Sequence, residues 1–127
     1  MNTVIISGNL VKEIKLESTK NGKPYLKNTI AVSEGWNTKY EKTYFINFET
    51  YSKDALLEFK NLKKGQLVEL EGKLVVENFK GKDGNWVNIT KIVVFKARAG
   101  EFNKKSDTTE VNKKPDTTYN GVSWENI

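Results

Sequence analysis

An all-β fold with one short helix, closed as a small five-stranded Greek-key barrel and followed by a disordered C-terminal tail, is what this sequence predicts. Five apolar or alternating segments of strand length precede residue 100, one stretch has helical spacing, and beyond Gly100 the apolar periodicity stops. A chain of 127 residues has room for one domain, so a single core is expected, with residues 1–100 as the folded body and 101–127 as the tail.

The first strand covers residues 2–11, where Val4, Ile5 and Ile6 and then Leu10 and Val11 are interrupted by Gly8. A glycine inside a strand marks a bulge or a sharp bend, which a strongly curved sheet needs. Asn21-Gly22 and Pro24 form a turn and deliver the chain into a second strand over residues 25–33, so these two strands are expected to make a hairpin. A polar loop holding Trp36 leads to a third strand over residues 44–51. Ser52 then offers an N-cap and Asp54 an acid in the first turn. Ala55, Leu56, Phe59 and Leu62 recur at helical spacing before Lys63-Lys64-Gly65 ends the helix. Two long strands, residues 66–79 and 86–98, flank a linker whose Asp83-Gly84 pair marks a hairpin tip. The order β-β-β-α-β-β, with a glycine break in the first strand, is the pattern of a small five-stranded Greek-key barrel, the OB-fold, which the pattern by itself does not separate from other small barrels.

Charge divides the chain as the periodicity does. Residues 1–100 hold 17 Lys and Arg against 11 Asp and Glu, net +6, whereas 101–127 hold 4 Lys against 5 acids, net −1. A polyanion is the natural partner of such a body. Cysteine and histidine are both absent, which removes disulfides, thiolate chemistry, the commonest zinc ligand and the usual general base at neutral pH. No catalytic residue, metal site or cofactor is expected. No apolar run approaches the ~20 residues that span a bilayer, and residues 1–12 lack the pattern of a secretion signal. A soluble, cytoplasmic protein follows. In the tail, apolar residues return only at Val122, Trp124 and Ile127, which makes Trp124 and Ile127 candidates for docking a partner.

The third strand carries the chemistry. A side-chain period of 2 puts Phe45, Asn47, Glu49 and Tyr51 on one face and Tyr44, Ile46, Phe48 and Thr50 on the other. The second face reads as core. The first alternates aromatic rings with polar groups, which suits a half-exposed surface on which unpaired bases stack. Phe79 lies just before the basic hairpin tip and Trp86 just after it, so both are further candidates. Lys12, Lys73, Lys80 and Lys82 are candidates for phosphate contacts.

Several patches in sequence order resemble the bacterial-type single-stranded DNA-binding proteins (SSB family). They are residues 1–10 (MNTVIISGNL), Asn28-Thr29-Ile30-Ala31-Val32, Leu62-Lys63-Lys64-Gly65, Val68 to Leu74 (VELEGKL), and Lys82-Asp83-Gly84 leading to Thr90-Lys91-Ile92-Val93. The resemblance covers about residues 1–98. It implies sequence-nonspecific binding and protection of single-stranded DNA during replication, recombination and repair, by stacking on Trp36, Phe45, Tyr51 and Phe79. It also implies a homo-oligomer, with a tetramer favoured, working at the nucleoid or at replication sites. Where the family ends in several consecutive acids and an apolar tip that recruits replication and repair proteins, this chain ends Val122-Ser123-Trp124-Glu125-Asn126-Ile127, with one acid. That departure suits a divergent member, as a phage or plasmid carries, with replication or recombination partners of its own.

Two readings of other classes stand beside this one. A phosphoryl-transfer enzyme would need gathered carboxylates for a divalent metal, but the acids are scattered and Arg98 is the sole arginine. A protein-interaction or oligomerisation module on the same barrel would use the exposed aromatics as a dry interface without touching nucleic acid.

Overall fold

Alternating apolar side chains decide which face of each strand turns inward, and the inward sets meet in one core: Leu26 and Ile30, Phe48, Val68 and Leu70, Ile92 and Val94 are all buried. The computed structural model describes residues 1–35, 37–100, 118–119 and 122–124. Its elements are β1 (Val4–Leu10), β2 (Glu17–Ser18), β3 (Pro24–Glu34), β4 (Lys42–Thr50), α1 (Lys53–Phe59), β5 (Leu67–Lys80), β6 (Trp86–Ala99), β7 (Thr118–Tyr119) and β8 (Val122–Ser123). The main sheet runs β1-β5-β6-β4-β3, and β1 returns to pair with β3, which closes a five-stranded barrel. The pairings are antiparallel except β4 with β6, which run parallel over Phe48–Thr50 and Ile92–Val94. A mostly β, OB-like barrel with one short helix is the fold expected from the sequence.

Closure depends on two glycines. β1 pairs with β5 from Val4↔Gly72 to Asn9↔Leu67, then meets β3 at Asn9↔Ala31 and Leu10↔Ile30. A Cβ on Gly8 would lie 2.3 Å from the Ala31 carbonyl oxygen, so no side chain fits where β3 crosses over β1. Gly72 is equally confined, with the Val93 carbonyl oxygen 2.1 Å from the place of its missing Cβ. The β1–β5 register runs regularly through Gly8, the point beyond which β1 turns to β3, and a register shift lies at Glu71/Gly72 in the β5–β6 pairing. Asn28 supports the closure from the core side of β3. Its side-chain oxygen accepts from the backbone N–H of Lys12 (3.1 Å) and its amide donates to the Lys12 carbonyl (3.0 Å).

The hairpin expected between the first two long strands is different in the structure. β1 spends most of its length on β5, and the tight hairpin joins β2 to the start of β3 through Glu17↔Tyr25 and Ser18↔Pro24. Gly22, at φ 85°, and the Thr19 N–H to Lys23 carbonyl bond (2.9 Å) form its turn. α1 is also shorter than its apolar spacing suggests. The Ser52 side chain accepts from the Ala55 N–H as N-cap, but after Phe59 the bonds tighten to Asn61 N–H with Glu58 and Leu62 N–H with Phe59. Leu62 is buried all the same, and Phe59 stacks on Phe48 with ring centroids 5.6 Å apart, fixing the helix to the barrel.

Most of the tail, including Ile127, lies outside the described residues. Thr118–Tyr119 and Val122–Ser123 pair as two short strands. Trp124, expected to be exposed for a partner, is 5% exposed and belongs to the apolar cluster that includes Leu10, Leu16 and Leu62. With Ile14 and Leu62 it lines a depression rimmed by Lys60, Lys63 and Lys64. An indole covered in this way is not presented to another protein until the segment lifts.

Replacing Gly72 by Ala forces a Cβ against backbone rather than against a yielding side chain. The variant is expected to lose about 1 to 3 kcal/mol of stability, read as a lower midpoint in urea. Ala at the exposed Gly84 hairpin tip, where no atom lies within 4 Å of the added methyl, meets only the strain of its φ of 86° and serves as the milder comparison.

Candidate nucleic-acid interface

Register settles which aromatics share a surface. Across β3 and β4, Lys27 lies opposite Glu49, Thr29 opposite Asn47 and Ala31 opposite Phe45, so these residues point away from the core. The parallel pairing sets Glu49 beside Val93, and the β5–β6 ladder carries the same face outward through Val75↔Lys91, Glu77↔Ile89 and Phe79↔Val87. Phe45 and Phe79, 34 residues apart in the chain, therefore lie on one continuous outer face. Phe45 is 67% exposed and Phe79 45%. Val87 and Ile89 add exposed apolar area beside Phe79.

Tyr51 follows β4 and is half-buried. Its ring stacks on Tyr25, with centroids 5.5 Å apart and planes 23° from parallel. The Lys23 ammonium sits 5.5 Å from the Tyr51 centroid and that of Lys27 5.9 Å from the Tyr25 centroid. Tyr51 is thus half of a two-ring block rather than a lone ring. The sequence reasoning passed over Tyr25, although the signal is present: Tyr25, Lys27, Thr29 and Ala31 alternate with the apolar or buried Leu26, Asn28, Ile30 and Val32.

At the middle of the face lies an ion network. The Lys91 ammonium is 3.0 Å from Glu49 and 3.0 Å from Glu77, and Glu49 is 6% exposed. The Glu49 carboxylate, which would repel a phosphate, is thereby neutralised within the surface. Burial pushes the Lys91 pKa down, but its hydrogen bonds to Glu77 and Glu49 and their charges outweigh burial and hold it above the ordinary 10.5. Burial, with the nearby Glu49 carboxylate, raises Tyr51; burial and Glu17 raise Tyr25.

The remaining candidates divide. Lys73, exposed and opposite Val93, points from the face that carries Phe79. Lys80 and Trp86 pair with each other one residue further along, so they point from the opposite face of the hairpin, with the Lys80 ammonium 6.0 Å from the indole centroid. Lys82 is exposed in the hairpin tip. Lys12 follows β1 and its backbone brackets Asn28 on the core side of β3, away from the Phe45 face. Trp36 lies outside the described residues. Tyr44, read as core, is 45% exposed and its hydroxyl donates to Glu34 (3.0 Å). Tyr44 lies beyond the last β4–β6 pair, Phe48 with Ile92, where the β3–β4 ribbon continues paired only within itself. Among the described residues no cluster of acids, histidines or cysteines could hold a metal, and no helix is long and apolar enough to cross a membrane.

The model of the single-strand binding protein family matches residues 1–99. The chain belongs to this family. Family members are non-enzymatic DNA-binding proteins, in agreement with the expectation of no catalysis. A single-stranded DNA-binding protein of Neisseria meningitidis is 35% identical over 88 residues, covering 66% of this chain and 51% of that protein. One from Bacillus cereus is 36% identical over 95 residues, covering 73% and 56%. The chain thus spans about half the length of these curated relatives. Among solved structures, a Plasmodium falciparum SSB in complex with single-stranded DNA superposes with a TM-score of 0.65 at 22% identity, over 76% of this chain and 90% of that one. Mitochondrial single-stranded DNA-binding proteins of S. cerevisiae give 0.64 at 19%, over 76% and 92%. At these identities the likeness is one of fold.

The raised pKa values of Lys91, Tyr25 and Tyr51 fix the sign of a pH effect. A group whose pKa is higher in the folded chain contributes stability that is complete below its unfolded value and lost as the pH climbs through the folded one. Denaturation midpoints are expected to fall above the ordinary 10.0 of tyrosine and 10.5 of lysine. Lys91→Met, which strands Glu49, is expected to cost about 1 to 3 kcal/mol at neutral pH, less than for a fully buried pair, and to flatten that alkaline decline.

Proposed function

We propose that this chain binds single-stranded DNA without marked sequence preference and protects it during replication, recombination and repair, in the cytoplasm at the nucleoid or at sites of replication. The observation that supports the reading is the outer face on which exposed Phe45 and Phe79 and the half-buried Tyr25–Tyr51 block stand among lysines, with the central carboxylate paired. Each base has a π-face whatever its identity, so stacking of this kind is tolerant of sequence. A duplex hides those faces. Trp36 adds to the same set by family resemblance, Lys23, Lys27 and Lys73 offer positive charge beside the rings, and residues 1–100 form the binding domain.

The chain works as a homo-oligomer, with a tetramer favoured. β1 supports this, since Val4–Gly8 pair with β5 on one edge and with no strand on the other among the described residues, and Ile5 is 72% exposed. A strand edge with an exposed apolar neighbour is a ready partner for a second copy. Replication or recombination proteins dock on the C-terminal segment through Trp124 and Ile127, which requires Trp124 to leave its place on the barrel.

Titration with poly(dT) tests the DNA reading. Phe45→Ala and Phe79→Ala are each expected to weaken binding by roughly 1 to 3 kcal/mol, and log K to fall with log salt by about 0.7 per phosphate neutralised. A folded double variant with wild-type affinity, or no binding at any salt, favours the protein-interaction module instead. Sedimentation is expected to give a tetramer at micromolar concentration, and a monomer there excludes the oligomer.

A further inference from the structure

The middle of the outer face holds a side chain that neither the stacking rings nor the ion network uses. Asn47 lies two residues from Phe45 on β4, about 7 Å along the strand at the usual rise per residue, and both point outward. Asn47 is exposed. It is the one side-chain amide on that face among the described residues, and it stands between the Phe45 ring and the Glu49 carboxylate. Its neighbour across the ladder is Thr29.

The amide is held in one orientation. The Thr29 hydroxyl donates to the Asn47 side-chain oxygen (2.9 Å). Thr29 is 6% exposed, and this oxygen is the acceptor its hydroxyl has among the described residues. Turning the amide over would set an N–H against the hydroxyl and leave the hydroxyl hydrogen without an acceptor, a costly state in a buried residue. Asn47 therefore keeps its oxygen occupied. Its NH2 group, with two donors and no partner among the described residues, is left open at the surface.

A base stacked on a ring turns its edge sideways, along the protein surface. Donors beside the ring match a carbonyl on that edge, and unstacked bases held on aromatic side chains are hydrogen-bonded at their edges as well. Thymine, cytosine and guanine each carry a ring carbonyl, whereas adenine offers ring nitrogens as its acceptors.

We propose that Asn47 reads the base stacked on Phe45, donating from its amide to a base carbonyl, with Thr29 as the positioning residue that keeps the donors outward. The contact favours carbonyl-bearing bases at one place on each barrel, a bias of roughly a few fold laid over stacking that is otherwise tolerant of sequence. This rests on the stacking reading of the outer face and adds a directional contact to it.

Two strands separate the hydrogen bond from the stack: oligo(dT) of about 8 nucleotides, and the same strand built with difluorotoluene, a thymine isostere that stacks but has no carbonyl. With the full chain, Asn47→Ala is expected to weaken oligo(dT) roughly fivefold and to change the isostere strand by less than about twofold. Thr29→Val, which keeps the shape and frees the amide, is expected to weaken oligo(dT) by a smaller factor and to add nothing once Asn47 is Ala. Unchanged circular dichroism is expected, since Asn47 is exposed. A purely structural role would move both strands alike, so equal weakening of the two overturns the contact. No change in either strand, while Phe45→Ala weakens both, also overturns it and spares the stacking reading. Weakening of oligo(dA) with oligo(dT) spared means that the amide presents its oxygen, which overturns the orientation and the proposal with it. A wild-type chain that binds neither strand removes both readings together.

Discussion

Two places where backbone meets backbone without room for a side chain govern this molecule. At Gly8 and Gly72 a β-carbon would fall within 2.3 and 2.1 Å of carbonyl oxygens on neighbouring strands. The first lets β1 leave β5 and reach β3, which closes the sheet, and the second lies where the β5–β6 register shifts. The same barrel sets β4 beside β6 in parallel, and that pairing carries Phe45 and Phe79 onto one surface. The aromatic face is therefore a product of barrel geometry more than of any local motif. Its parts come from two ribbons, β3–β4 and β5–β6, joined by the β4–β6 pairing in the middle of the sheet.

Rigidity on that face is built from contacts that already exist in the free protein. Tyr25 and Tyr51 hold each other, and Lys91 ties β6 to Glu49 on β4 and Glu77 on β5. Groups ordered in advance lose less entropy when a ligand arrives, so part of the cost of association is met during folding. The arrangement also sorts charge. The carboxylate at the centre is covered by an ammonium, and lysines lie beside the rings, so attraction is directed to a chain of phosphates running past stacked bases. The face is rigid and sparsely acidic.

Much of this was legible in the sequence, and the exceptions have physical causes. Strand positions followed from alternation, the helix from its Ser52 cap and apolar spacing, and the outward set Phe45, Asn47, Glu49 from a period of 2. Period reveals the face of a strand but not its neighbour, so β1 was read as partner of the second long strand, which it meets only at Asn9 and Leu10, while most of it pairs with β5 some sixty residues away. Nor does it reveal where a ribbon outruns its barrel, which left Tyr44 assigned to the core. Tyr25 was read at the start of the second strand but not as a stacking ring, because its partner Tyr51 lies 26 residues on and only the fold brings the two rings together. Trp124 was read as exposed from the polarity of its neighbours, yet one large ring buries enough apolar area to bring a polar segment back to the barrel.

The arm that β5 and β6 form beyond the barrel, Val75–Lys80 paired with Trp86–Lys91, carries a liability as well as a surface. Among the described residues both of its strands are edges, with unpaired N–H and C=O groups beside exposed valines, isoleucine and rings. Such ribbons can add to one another in solution, and a protein manages this with charge placed among the apolar residues. Glu77, Lys80 and Lys91 on its strands and Lys82 at its tip occupy that role along the arm. Exchanging these lysines for neutral residues would weaken a barrier to strand-by-strand aggregation as well as any grip on phosphate. A ligand covering the arm would act in the opposite sense, shielding the edges, so the unliganded protein at high concentration is the form most exposed to self-association.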